Sequence, residues 1–217
     1  MLSLLKKDLF VNKATVIAGL LLVPIGYITT LPPFYISLGL MLPLIFIHPY
    51  IMDYRSNINR LMISLPVTAK SIVTSRYLLL MMIWIAVIFY QYLIGFIVEE
   101  IFNYSSYIFG WKEIVILLSL GLLLLSIYVP LTYSFRSLVI VLLLVVITYF
   151  IMFLFTLDAL VNILELKDNI LFNDLDQGVV PLIETYIPFH PYLTLPFVAF
   201  FLYYLSLKLS AKTFTVK

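Results

Sequence analysis

The apolar positions of this chain neither alternate nor follow a single helical stripe. They run on. Ala14–Leu31, Phe34–Met52, Tyr77–Val98, Ile114–Tyr133, Leu138–Leu157 and Phe189–Leu207 are nearly unbroken runs of Leu, Ile, Val, Phe, Tyr and Met. Each is close to the ~20 residues that cross ~30 Å of hydrocarbon. Inside a bilayer a single segment satisfies its own backbone only as a helix. The pattern therefore predicts an all-α integral membrane protein with six transmembrane helices, and one transmembrane domain over residues 1–217.

The interruptions differ in kind. Pro32 and Pro33 alone separate the first two runs, a tight turn, and Arg136 marks the turn between the fourth and fifth. Asp53 to Arg76 is the longest polar break in the first half of the chain, with Arg55, Arg60, Lys70 and Arg76 set against the single acid Asp53. Residues 158–188 form the largest remaining segment. Across its start Leu157, Leu160, Val161 and Leu164 recur at helical spacing, which predicts a helical portion on the membrane surface. Before the first run, Leu2, Leu5, Leu9 and Phe10 oppose Lys6, Lys7 and Asp8, so residues 1–13 read as an amphipathic interfacial helix. The first run is long enough to span and no A-x-A-like site follows it, so it is expected to be retained rather than cleaved. Pro24, Pro43 and Pro130 fall inside runs, where each removes a backbone hydrogen bond and predicts a kink.

Charge sets the orientation. Six spans place both termini on one face, and that face then collects Lys6, Lys7, Lys13, Arg55, Arg60, Lys70, Arg76, Arg136, Lys208, Lys212 and Lys217. That is 11 of the 13 basic residues, leaving Lys112 and Lys167 opposite. The positive-inside rule makes the basic face cytoplasmic, so residues 53–76 are a cytoplasmic loop and 158–188 an extracellular one. Composition agrees: 64% of residues are hydrophobic and 11% charged, where soluble domains carry about 25% charged. A net charge of +2 gives no nucleic-acid footprint, and the absence of cysteine removes disulfides and thiolate metal sites.

The chemistry inside the runs is sparse. None of the six contains Asp, Glu, Lys or Arg, whereas ion-coupled carriers hold an ionisable group near mid-membrane. Gln91, Ser119, Ser126 and Thr148 are among the polar side chains left there, expected to bond helix to helix or else to line a substrate path. No glycine precedes a lysine, so the phosphate-cradling G-x-x-x-x-G-K-[ST] loop is missing and the chain is not expected to hydrolyse nucleotides. His48 and His190 sit at opposite ends of their runs, too far apart to share a metal. Asn173, Asp174 and Asp176 precede Gly178 as in a calcium loop, but Thr185 stands where the closing acid is needed. Glu99 and Glu100 lack the arginine four residues on that membrane-embedded CAAX-type proteases pair with such a doublet, because Tyr104 stands there. No catalytic, cofactor or metal site is expected.

Ser64-Leu65-Pro66-Val67, followed by Ile72-Val73 and Ser75-Arg76-Tyr77-Leu78, resembles the "SLPvsrkeiVlsKYL" stretch of bacterial ABC transporter permeases of the type 2 exporter class. Leu4-Leu5-Lys6-Lys7-Asp8 resembles the opening of the small members of that class. The motifs cover about the first third of the chain and the layout of spans covers all of it. Asp53-Tyr54-Arg55 stands in place of a more acidic segment, and Ala69 at a commonly basic position. The resemblance implies a permease subunit in the bacterial plasma membrane that pairs with a second permease subunit, as homo- or heterodimer, and with cytoplasmic ABC ATPase subunits that carry the ATP and Mg. It also implies that Pro66, Val67, Lys70, Ile72, Val73 and Arg76 dock into a groove on the ATPase. So apolar a pathway suits a hydrophobic or amphipathic cargo, such as a toxin-like peptide or a lipid. The alternative is a non-transporting immunity or scaffold protein of the membrane.

Overall fold

In the computed structural model the described residues are 13–29, 31–55, 68–102, 110–135, 137–163 and 172–215, and every regular element among them is helical. The helices are α1 (Lys13–Ile28), α2 (Tyr35–Arg55), α3 (Ala69–Phe102), α4 (Trp111–Ser134), α5 (Leu138–Ile163), α6 (Phe172–Tyr186) and α7 (Pro191–Thr215). Five of them (α2, α3, α4, α5 and α7) are long and apolar enough to cross a membrane. The first predicted span is shorter than expected. Its 16 residues reach about 24 Å at 1.5 Å per residue, and Thr29 ends it by turning its hydroxyl onto the carbonyls of Ile25 and Gly26. Of the interfacial helix predicted for residues 1–13, residues 1–12 fall outside the described residues, as does the turn residue Arg136, while Lys13 opens α1.

α4 is the axis of the bundle. Ile116, Leu117 and Leu125 are fully enclosed, with Tyr128 and Val129 close behind, and the other helices pack around them, α7 most extensively. Close approach of α3 to α4 depends on Gly121: a Cβ there would lie 2.1 Å from the Trp84 ring. The outer surface is as apolar as the core. Val139, Val146, Phe150 and Phe155 on α5, and Leu193 and Phe197 on α7, are more than half exposed. From Phe150 to Thr156 α5 is exposed around its whole circumference. In water such a surface would aggregate; in lipid it is the solvated face.

α3 contains 34 residues without a break, about 51 Å of helix and well beyond the hydrocarbon thickness. Lys70 and Arg76 lie near its start, Glu99 and Glu100 at its end. The side-chain contacts described below set the starts of α1, α3 and α5 beside the ends of α2, α4 and α7, so Lys13, Arg55, Lys70, Arg76, Lys208 and Lys212 gather at one end. Glu99, Glu100, Glu113, Asp158 and Glu184 gather at the other.

α2 has an unusual first half. Tyr35–Met41 is a π-helix, closed by the Leu42 N–H on the Ser37 carbonyl, and α-helix follows to Arg55. Pro43 supplies the cause. Its ring would collide with the carbonyl four residues back, and a wider turn moves that carbonyl away. α6 is the element the apolar pattern did not predict. It was read as an acidic loop, with the surface helix expected around residues 157–164, but Asp158–Ile163 instead prolongs α5 and the separate helix starts at Phe172. Gly178 and Ile183 bury one face of α6, while Glu184, Thr185 and Tyr186 remain outside.

Candidate functional site

At the basic end α2 closes through Asp53 and Arg55, and α3 opens at Ala69. Thr68 caps α3: its Oγ1 accepts the Ser71 N–H at 3.3 Å and its carbonyl accepts the Ile72 N–H at 3.2 Å, the standard relief for the orphan donors of a first turn. Lys70, Ile72, Val73 and Arg76, expected in a cytoplasmic docking loop, thus belong to the opening turns of the long α3. Lys70 is exposed. Val73 is fully buried and Ile72 nearly so, so both hold α3 into the bundle. Arg76 forms an ion pair with Asp53, and their side chains are 14% and 2% exposed. Pro66 and Val67 lie outside the described residues. Of the predicted docking set among the described residues, Lys70 is the side chain open to a partner.

Next to Arg76 the bundle is knitted by tyrosines. The Tyr77 hydroxyl lies 2.7 Å from both Ser206 Oγ and Ser210 Oγ, and Tyr203 donates to the Tyr77 carbonyl at 2.6 Å. The two rings are 5.0 Å apart, and all four residues are buried. Tyr133 packs edge-on against Phe214, and Thr15 Oγ1 meets His48 Nδ1 at 2.9 Å. These contacts pull the ends of α2, α4 and α7 together around the start of α3. Sequence reading overlooked them, although Ser206 and Ser210 stand four apart on one helix face and Asp53 is the lone acid among arginines. A cavity of about 20 Å³, the size of one water, lies between α2, α3 and α4, bordered by Arg76, Tyr50, Phe46 and Thr132.

Deeper in the bundle, the four polar residues proposed for a substrate path divide. Ser119 donates to Val115 O, Ser126 to Leu123 O and Thr148 to Leu144 O, each on its own helix. Gln91 bonds across helices as expected: its Nε2 donates to Pro33 O at 2.8 Å, and its Oε1 accepts the Ser37 hydroxyl. Both partners belong to the π-helical start of α2 or the turn before it. Tyr149 on α5 donates to Leu38 O at 3.2 Å, in the same segment. Gln91 and Ser37 are fully buried, so this is a desolvated, internally satisfied node.

At the acidic end Lys112, at the start of α4, contacts Glu184 of α6 at 2.8 Å, and Tyr192 of α7 donates to the same carboxylate at 2.5 Å. The Trp111 and Tyr192 rings meet edge-on at 4.9 Å. Lys112 and Tyr192 hold the Glu184 carboxyl below its ordinary range, since both stabilise the charged form. His190, with φ of 45°, turns the chain from α6 into α7. No group of metal-ligating side chains occurs among the described residues.

Helices that cross a bilayer, a lipid-facing apolar surface and charges confined to the two ends define a multi-pass membrane protein of the plasma membrane. The chain matches the family described as ABC-2 family transporter protein over residues 3–215, nearly its full length, and it belongs to that family. It is a permease component, and membership implies association with an ABC ATPase subunit. No curated protein and no solved structure matches the chain.

Proposed function

We propose that the chain is the permease subunit of an ATP-driven exporter. In this reading it spans the membrane six times, with both termini and the basic end in the cytoplasm. It works as a homo- or heterodimer, and separate ATPase subunits engage the region leading into α3. The cargo is hydrophobic or amphipathic, a peptide or a lipid, because the polar side chains available to the pathway are few and uncharged. The charge segregation between the two ends supports the orientation.

The observation that carries the reading is the continuity of α3. One helix of 34 residues runs from exposed Lys70, past the Arg76–Asp53 pair, to buried Gln91. A rigid rod has no joint at which a push on its start can be absorbed. Force applied at Lys70 reaches the membrane interior and the start of α2 through the Gln91 bonds. No phosphate-binding loop occurs in these 217 residues, so in this reading the ATP-binding site is supplied from outside them.

The test is copurification from lipid. Full-length protein brings down an ATP-binding subunit and stimulates its hydrolysis. Lys70→Glu weakens that association at least tenfold while membrane insertion and thermal stability stay at wild-type levels. Full association in the Lys70→Glu variant would place docking elsewhere. Absence of any associated ATPase would remove the transport reading.

A further inference from the structure

The π-helical start of α2 is held in place by side chains from two other helices. In a π-helix each N–H bonds to the carbonyl five residues back, as Leu42 does to Ser37. The next residue, Pro43, has no N–H, so the carbonyl it would have served in this register is that of Leu38. Tyr149 donates to that carbonyl at 3.2 Å. In the α register the carbonyl left without a donor would instead be that of Gly39, four residues before Pro43. Gln91 grips the same segment from α3, at Pro33 O and Ser37 Oγ. Proline creates the need for the wide turn, and Tyr149 and Gln91 fit only one of the two registers.

We propose that Tyr35–Met41 is a register switch between π and α, with Gln91 and Tyr149 as the positioning residues that hold the π state. Closing the segment to α takes up one residue. That turns the Pro33–Ile36 end by about 100° relative to Leu42–Arg55, carries Ser37 away from Gln91, and leaves the half of α2 that bears His48 and Asp53 where it was. The switch is a property of this chain alone. Its use in transport, letting the Pro32–Pro33 turn move while the basic end stays docked, rests on the permease reading.

Two engineered cysteine pairs test it in the full chain reconstituted in lipid, which is clean because the natural sequence has no cysteine. Gly26 and Ile36 touch in the π register: a Cβ on Gly26 would lie 2.7 Å from Ile36 Cδ1, within reach of a disulfide. Thr15 and His48 touch on the far side of the segment. In the wild-type background the 26–36 pair oxidises efficiently, and the 15–48 pair, set apart by the longer His48 side chain, is joined efficiently by a short bis-thiol-reactive linker. Pro43→Ala, which removes the cause of the wide turn, and Tyr149→Phe, which removes its support, each lower the rate and yield of 26–36 oxidation, Tyr149→Phe to the extent set by an about fivefold shift in the π:α ratio, the effect of losing one hydrogen bond. The 15–48 yield is unchanged in both. Equal 26–36 yields in all three backgrounds overturn the switch. Loss of both pairs together overturns it too, since that would mean the α1–α2 packing had come apart. No ATPase is present in this assay, so its failure leaves the transport reading standing, and absence of an ATPase partner leaves the switch standing.

Discussion

Asp53 and Arg76 join α2 to α3 at the basic end with little water around them: their side chains are 2% and 14% exposed. Because burial is nearly complete, the pair's contribution is set by desolvation rather than by surface screening. Removing one partner leaves a buried charge without compensation, at a cost of about 3–5 kcal/mol. Replacing both with apolar groups of similar volume removes the penalty along with the attraction and is near neutral. Asp53→Leu is therefore expected to destabilise the chain by about 3 kcal/mol, or roughly 6–12 °C in Tm for a chain of this length. The double variant Asp53→Leu with Arg76→Met should recover most of that loss. The assay is thermal unfolding in lipid nanodiscs followed by tryptophan fluorescence, since Trp84 is buried at the α3–α4 contact. A shift below about 2 °C for the single variant, small against the expected cost, would refute the reasoning. So would a double variant no more stable than the single. The pair also dictates how docking is probed: reversing Arg76 breaks an internal contact, so Lys70 is the residue to change.

Tyr77→Phe deletes a hydroxyl 2.7 Å from both Ser206 and Ser210. It should cost about 1 kcal/mol, at the modest level of interhelical hydrogen bonds in membranes, and speed hydrogen exchange at the end of α7; an unchanged unfolding midpoint would contradict this. At the acidic end the Glu184 carboxyl is held below its ordinary value by Lys112 and Tyr192. A depressed carboxylate contributes stability above its unfolded pKa, about 4.3, and loses it as pH falls through the lower folded value. Hydrogen exchange in Phe172–Tyr186 should therefore rise on acidification below that range, and Lys112→Met should flatten the dependence.

Five of the six spans were legible because a bilayer asks only for length and apolarity, and Leu138–Leu157 or Ile114–Tyr133 meet both without ambiguity. Which faces pack was not legible. α5 is apolar all round, so no periodicity tells lipid from core, and the central place of α4 emerges only from Gly121 admitting Trp84. α6 was hidden by Asp174, Asp176, Gly178 and Pro181, residues that individually favour loops; the apolar face of Val179, Val180, Leu182 and Ile183 was the signal against them. At the site, Gln91 stood out as the single amide in an apolar run, yet its partners lie 54 and 58 positions away and no local pattern names them. Ser119, Ser126 and Thr148 looked equally polar in sequence, but each had a carbonyl of its own helix within reach. Ile72 and Val73 were expected to face a groove on the ATPase, in the loop before α3. The continuity of α3 turns them inward.

Everything functional in this account depends on the start of α3 being the place where a cytoplasmic ATPase takes hold. A photo-crosslinking amino acid at position 70, activated in intact cells, measures this directly. The account predicts an adduct with an ATP-binding subunit, lost when that subunit is absent and undiminished by membrane-impermeant quenchers outside the cell. Adducts formed only with extracellular reagents, or with lipid alone while the ATPase is present, would contradict it.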